Sequence, residues 1–78
     1  MKLEIEVDQS KWRETESEVL VYGMLVDIYE HEEYIYRILY DWEHGFYSII
    51  RPCGNLVCCV QDLMVAQAIV ELIATNQS

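Results

Sequence analysis

The stretch from Tyr34 to Pro52, YIYRILYDWEHGFYSIIRP, constrains this chain more than any other. Its even positions are Tyr34, Tyr36, Ile38, Tyr40 and Trp42, and they alternate with Ile35, Arg37, Leu39 and Asp41. A period of two places the first set on one face of a strand. Aromatic and β-branched side chains suit such a pleated, half-buried surface. Glu43, His44 and Gly45 then supply turn chemistry, since glycine takes positive φ without steric cost. Phe46 to Arg51 alternates again, with Phe46, Ser48 and Ile50 on one side and Tyr47, Ile49 and Arg51 on the other. Pro52 has no N–H to give to a ladder, so it ends the strand or holds it at an edge. The stretch therefore reads as a β-hairpin with one aromatic face. That face is either packed on a core or a stacking platform. A platform for single-stranded nucleic acid also needs a basic groove, and only Arg37 and Arg51 are near, which favours the core.

The flanking sequence extends the sheet. Lys2 to Asp8 alternates Leu3, Ile5 and Val7 with charged residues, the pattern of a half-exposed strand whose charged face blunts edge pairing. Gln9 to Glu18 is polar except for Trp12, which is expected to anchor the segment to the core; Ser10 is a candidate cap for a short helical turn, and Lys11 can pair with Glu14. Val19 to Tyr29 is apolar almost throughout. Its β-branched residues and Gly23 favour a strand, bulged at the glycine. Glu30 to Glu33 is expected to be the turn into the hairpin. Cys53, Gly54 and Asn55 form a second tight turn, and Leu56 to Val60 is the last strand.

Gln61 to Thr75 is a helix, with Asp62 as N-cap or first-turn acid. Gln67, Glu71 and Thr75 make one narrow polar stripe, and nearly everything else is apolar. A surface helix normally has a wider polar face. A second apolar side is therefore expected to be covered, most simply by another copy of the chain through Val65, Ile69, Leu72 and Ile73. The fold class expected is α+β: an antiparallel meander of four to five strands packed against one C-terminal α-helix. Seventy-eight residues are expected to make a single domain.

Charge narrows the function. The net charge is −9. Residues 1–43 hold twelve Asp and Glu against Lys2, Lys11, Arg13 and Arg37, whereas residues 44–78 hold Asp62 and Glu71 against Arg51. Direct binding to nucleic acid is disfavoured, because phosphate contacts need Lys and Arg. The acidic half instead suits a basic partner. There is no uncharged apolar run long enough to span a membrane, and MKLEIEVD lacks the apolar core of a signal peptide. A cytoplasmic location is expected. The three cysteines, Cys53, Cys58 and Cys59, are an odd number and read as reduced, small hydrophobes rather than a disulfide framework. Their spacing is not that of a zinc site.

No phosphate-binding glycine loop, zinc-protease signature or nucleophile elbow is present. Asp41 and Glu43 are paired carboxylates, but beside an exposed turn nothing would raise a pKa. No catalytic residue, cofactor or metal is expected, and the chain is read as not an enzyme. The expected function is a small acidic protein-binding module that blocks a basic, nucleic-acid-binding surface of a partner protein. Its contact residues would be Glu14, Glu16, Glu18, Glu30, Glu32, Glu33, Asp41 and Glu43. In type, though not by any motif, such a chain resembles the short acidic phage-encoded inhibitors of host defence, anti-CRISPR proteins among them. The alternative is a homodimeric structural or assembly subunit associating through the C-terminal helix. The order strand–strand–strand–helix also resembles part of a double-stranded-RNA-binding domain. Asp62, Leu63 and Met64 stand where that domain carries basic residues.

Overall fold

A computed structural model describes residues 6–15, 20–21 and 24–76. A 3-10 turn at Gln9–Lys11 leads into β1 (Trp12–Thr15). Then come β2 (Leu20–Val21), β3 (Met24–His31), β4 (Arg37–Asp41), β5 (Phe46–Ile50), β6 (Leu56–Val60) and α1 (Leu63–Thr75). Five strands lie in the order β1-β3-β4-β5-β6, every pair antiparallel, and the short β2 also pairs with β3. One C-terminal helix packs on this meander, so the fold is α+β, as the sequence leads one to expect.

The register assigns the two faces. Tyr29, Ile38, Ile49 and Cys58 stand side by side across β3 to β6. Alternation puts Tyr36, Tyr40, Tyr47 and Val60 on the same side. That side carries the core: Tyr36, Ile38 and Ile49 are buried together with Ala66 and Val70 of the helix. Ile38, Ile49 and Val70 are fully enclosed. Fully burying one such aliphatic side chain contributes about 1.5–3 kcal/mol. The opposite face carries Glu30, Arg37, Leu39, Ser48 and Cys59.

Each turn has a local cause. Asp41 Oδ1 accepts the backbone N–H groups of Glu43 and His44 at 2.9 and 3.2 Å. Gly45, at φ 73°, closes the β4–β5 connection by donating to the Asp41 carbonyl at 2.8 Å. Gly54, at φ 95°, does the same work between β5 and β6, donating to the Arg51 carbonyl at 2.9 Å. Both positions favour a residue without Cβ. Asp62 is the helix N-cap: its Oδ1 accepts from Met64 and Val65 at 2.8 and 3.2 Å.

Several expectations are corrected. Val19 to Tyr29 is not one bulged strand, because Val21 pairs with Met24 and the chain reverses between β2 and β3. An apolar run conceals such a reversal, and Gly23 was its only turn signal. The residues at which the bulge was expected lie outside the described ones, as do residues 1–5 of the expected first strand. Glu6 to Asp8 carries no strand; Asp8, not Ser10, caps the 3-10 turn by accepting the Ser10 N–H. Lys11 pairs with Glu33 at 3.0 Å rather than with Glu14, since the helical geometry that would join Lys11 to Glu14 stops at Lys11. Glu30 is not in a turn but in β3, opposite Arg13 on one side and Arg37 on the other. These opposite charges across the ladder make a central strand tolerable for a glutamate. Tyr34 lies before β4, not in it, and stacks on His31 with ring centroids 4.2 Å apart.

On the helix, Gln67 is not part of a solvent-facing polar stripe. It is buried, and its amide exchanges hydrogen bonds with Gln9 at 2.6 and 3.1 Å, tying the N-terminal segment to α1. Cys58 packs against the core, but Cys53 and Cys59 are exposed rather than buried. Among the described residues no helix is long and apolar enough to cross a membrane.

Candidate functional site

The helix packs chiefly on β5 and β6. A helix is about 10 Å across and strands are about 4.8 Å apart, so one helix covers roughly two strands of five. At one end of the sheet the N-terminal segment helps to close the same face. There Trp12 meets the buried His31 edge-on at 5.0 Å, and His31 Nδ1 accepts the Glu33 N–H at 3.0 Å. The Trp12 Nε1 is buried and finds no acceptor among the described residues.

The other end, beside the β4–β5 turn, is different. Asp27, Tyr40, Tyr47 and Val60 form a row across β3 to β6 in direct register. Tyr40 and Tyr47 stand 4.5 Å apart between ring centroids, and Tyr29 reaches Tyr47 at 6.0 Å. Trp42, in the turn, meets Tyr40 at 5.6 Å and 73°, and is 64 % exposed. Neither Tyr40 nor Trp42 belongs to the set packed against the core. Carboxylates surround these rings. Glu14 stands opposite Tyr29 on the edge strand and accepts its hydroxyl at 3.4 Å. Asp27 stands opposite Tyr40. Burial, and after it the Glu14 carboxylate, pushes the Tyr29 hydroxyl up to about 12. Burial also raises Tyr47, with smaller contributions from Tyr40, Asp62, Asp27 and Glu14.

The eight acidic residues expected to bind a partner do not converge. Glu14 borders the aromatic group. Glu16 and Glu18 lie outside the described residues. Glu30 faces away from the helix between Arg13 and Arg37. Glu32 and Glu33 are exposed at the opposite end of the sheet, where Glu33 is held by Lys11. Asp41 shapes its turn and contacts His44 Nδ1 at 2.6 Å. That hydrogen bond, before any other cause, lowers the Asp41 carboxyl and raises the His44 imidazole. Glu43 is exposed in the same turn. The aromatic row Tyr34, Tyr36, Ile38, Tyr40 and Trp42, expected to pack on the core along its whole length, does so at Tyr34, Tyr36 and Ile38 but not at Tyr40 and Trp42.

The helix surface expected to join two copies is also rearranged. Ile69 and Ile73 pack against the chain's own core, and Val65 is half-buried. Leu72 is 64 % exposed. It shares the outer stripe of the helix with Met64 and Ala68, at i, i+4 and i+8.

No described group of three or more His, Cys, Asp or Glu is placed to hold a metal ion. The chain matches no protein-family model, no curated protein and no solved structure.

Proposed function

We propose that the protein is an acidic protein-binding module whose docking surface is the aromatic group at the hairpin end, where Tyr40 and Trp42 stand outside the described core. The partner is a protein with a basic surface of the kind that handles nucleic acid, and occupation of that surface makes the module an inhibitor. One observation carries the reading: Glu14 stands opposite Tyr29 and Asp27 opposite Tyr40, Tyr40 meets both Tyr47 and Trp42, and Trp42 is exposed. Aromatic residues are enriched among the residues that dominate binding energy, and the carboxylates supply the complementary field. The net charge of −9 adds long-range attraction to a basic partner.

The test is affinity capture from nuclease-treated lysate of the source organism, with elution by a salt gradient. It compares the natural chain with a Glu14→Gln, Asp27→Asn double variant. The expected result is a basic nucleic-acid-handling protein held by the natural chain, released by salt, lost to the variant and blocked from its nucleic acid. Retention of the same proteins by both forms would contradict the reading.

A second reading, self-association through the helix, draws on the exposed apolar stripe Met64, Ala68 and Leu72. It requires that Leu72→Glu convert a dimer to a monomer in sedimentation, with the fold intact.

A further inference from the structure

We infer that the hairpin-end surface takes an arginine side chain of the partner in preference to lysine. The inference rests on the reading of this surface as the docking site for a basic partner. The geometry goes further than charge. Tyr40 and Trp42 meet at 73° and form two walls of a corner, with Trp42 exposed on its outer side. Tyr47 packs against Tyr40 at 4.5 Å and 39° and holds that ring in place. Asp27 stands directly across from Tyr40, so a cation lying on that ring has a carboxylate at its edge.

A guanidinium fits this arrangement by its shape. It is planar and weakly hydrated, so it stacks on a ring face while its N–H fork points sideways at a carboxylate. A lysine ammonium is a strongly hydrated point charge with no plane to stack. It would satisfy the carboxylate and gain less from the rings. Among the described cations none is placed there: Lys11 is held by Glu33 at the far end, Arg13 and Arg37 flank Glu30 on the opposite face, and Arg51 follows β5 at the end away from the β4–β5 turn.

The test uses hexa-arginine and hexalysine peptides of equal charge, titrated into the full chain at physiological salt. Binding is read from tryptophan fluorescence and by calorimetry. Of the two tryptophans only Trp42 is exposed, so the optical change reports on the corner. Hexa-arginine is expected to bind about fivefold more tightly, the factor that one exposed cation–π contact supplies. Trp42→Leu, which keeps an apolar side chain in an exposed turn position but removes the ring, should weaken hexa-arginine binding about fivefold and hexalysine binding by less, so that the preference is lost. Equal binding of the two peptides by the natural chain would overturn the arginine assignment while leaving the acidic module intact, and so would a preference that survives Trp42→Leu. A trimethyl-lysine peptide binding more tightly than hexa-arginine would likewise overturn it, because the rings alone would then be selecting the ligand. Failure of both peptides to bind would overturn the docking surface itself.

Discussion

Two neighbouring rows of the same sheet face are enclosed to different extents. In one row Ile38 and Ile49 sit beneath Ala66 and Val70 and are wholly enclosed. In the next, Tyr40 and Tyr47 occupy equivalent positions on the same strands, toward the turn; Tyr47 packs against the core and Tyr40 does not. Tyr29 and, beyond it, Glu14 continue the first row toward the edge strand. Asp27 continues the second. Period-two alternation produces both rows equally. The helix encloses the first row, while the second is only partly drawn into the core.

The largest expected effect breaks or upholds that contrast directly. Ile38→Ala or Ile49→Ala removes a fully enclosed side chain and should cost about 2–5 kcal/mol, read by urea denaturation. Tyr40→Ala should cost less, about 1–2 kcal/mol, while weakening capture of a basic ligand. Equal losses at Tyr40 and Ile38 would erase the distinction between the rows.

Charge neutralisation sharpens it next. Glu14→Gln with Asp27→Asn should weaken hexalysine binding about tenfold at physiological salt. Glu32→Gln with Glu33→Gln, at the other end of the sheet, should change it by less than about twofold, as expected of exposed charges away from the contact. Calorimetric titration of both variants compares them. A smaller effect is expected at the boundary of the two rows. Asp62→Ala removes the helix cap and should cost about 1 kcal/mol, measured by thermal denaturation.

The smallest effect lies in pH. The Asp41–His44 hydrogen bond lowers the acid below its ordinary 3.8 and raises the imidazole above its ordinary 6.5. The raised histidine contributes stability that is fully present below pH 6.5 and is lost as pH rises through its folded-state value. The lowered carboxyl contributes stability present above pH 3.8 and lost as pH falls through its own. The turn contact is therefore complete only between about pH 4 and 6.5. NMR titration should place His44 above 6.5, and Asp41→Asn should bring it down. Both groups are exposed, so the change in global stability should be slight.

Much of the fold was legible because its signals are local. Alternation marks β4 and β5, Gly45 and Gly54 mark their turns, and Asp62 marks the helix start. The β2–β3 reversal was not legible, since its flanks are apolar on both sides and carry no alternation to break. The burial of Gln67 was equally hidden. It depends on Gln9, 58 residues away in the chain, which no helical periodicity reports. The proposed surface was legible only in part. Glu14 stood among eight acidic residues singled out by charge, and Glu30 shows why charge alone misleads: the same acidic run sends Glu30 into the ladder and Glu32 and Glu33 into the loop. Tyr40 and Trp42 were assigned to the core because a strand's sequence does not state how far a helix elsewhere extends over it. The width of one helix against five strands contains that information, once the strand count is known.

Backbone amide chemical-shift mapping during titration with hexalysine at physiological salt tests the central claim most directly. The account requires the shifts to concentrate at Asp27, Tyr40, Trp42, Tyr47 and Asp62. Shifts centred on Glu32 and Glu33, or spread evenly over the acidic residues, would contradict it.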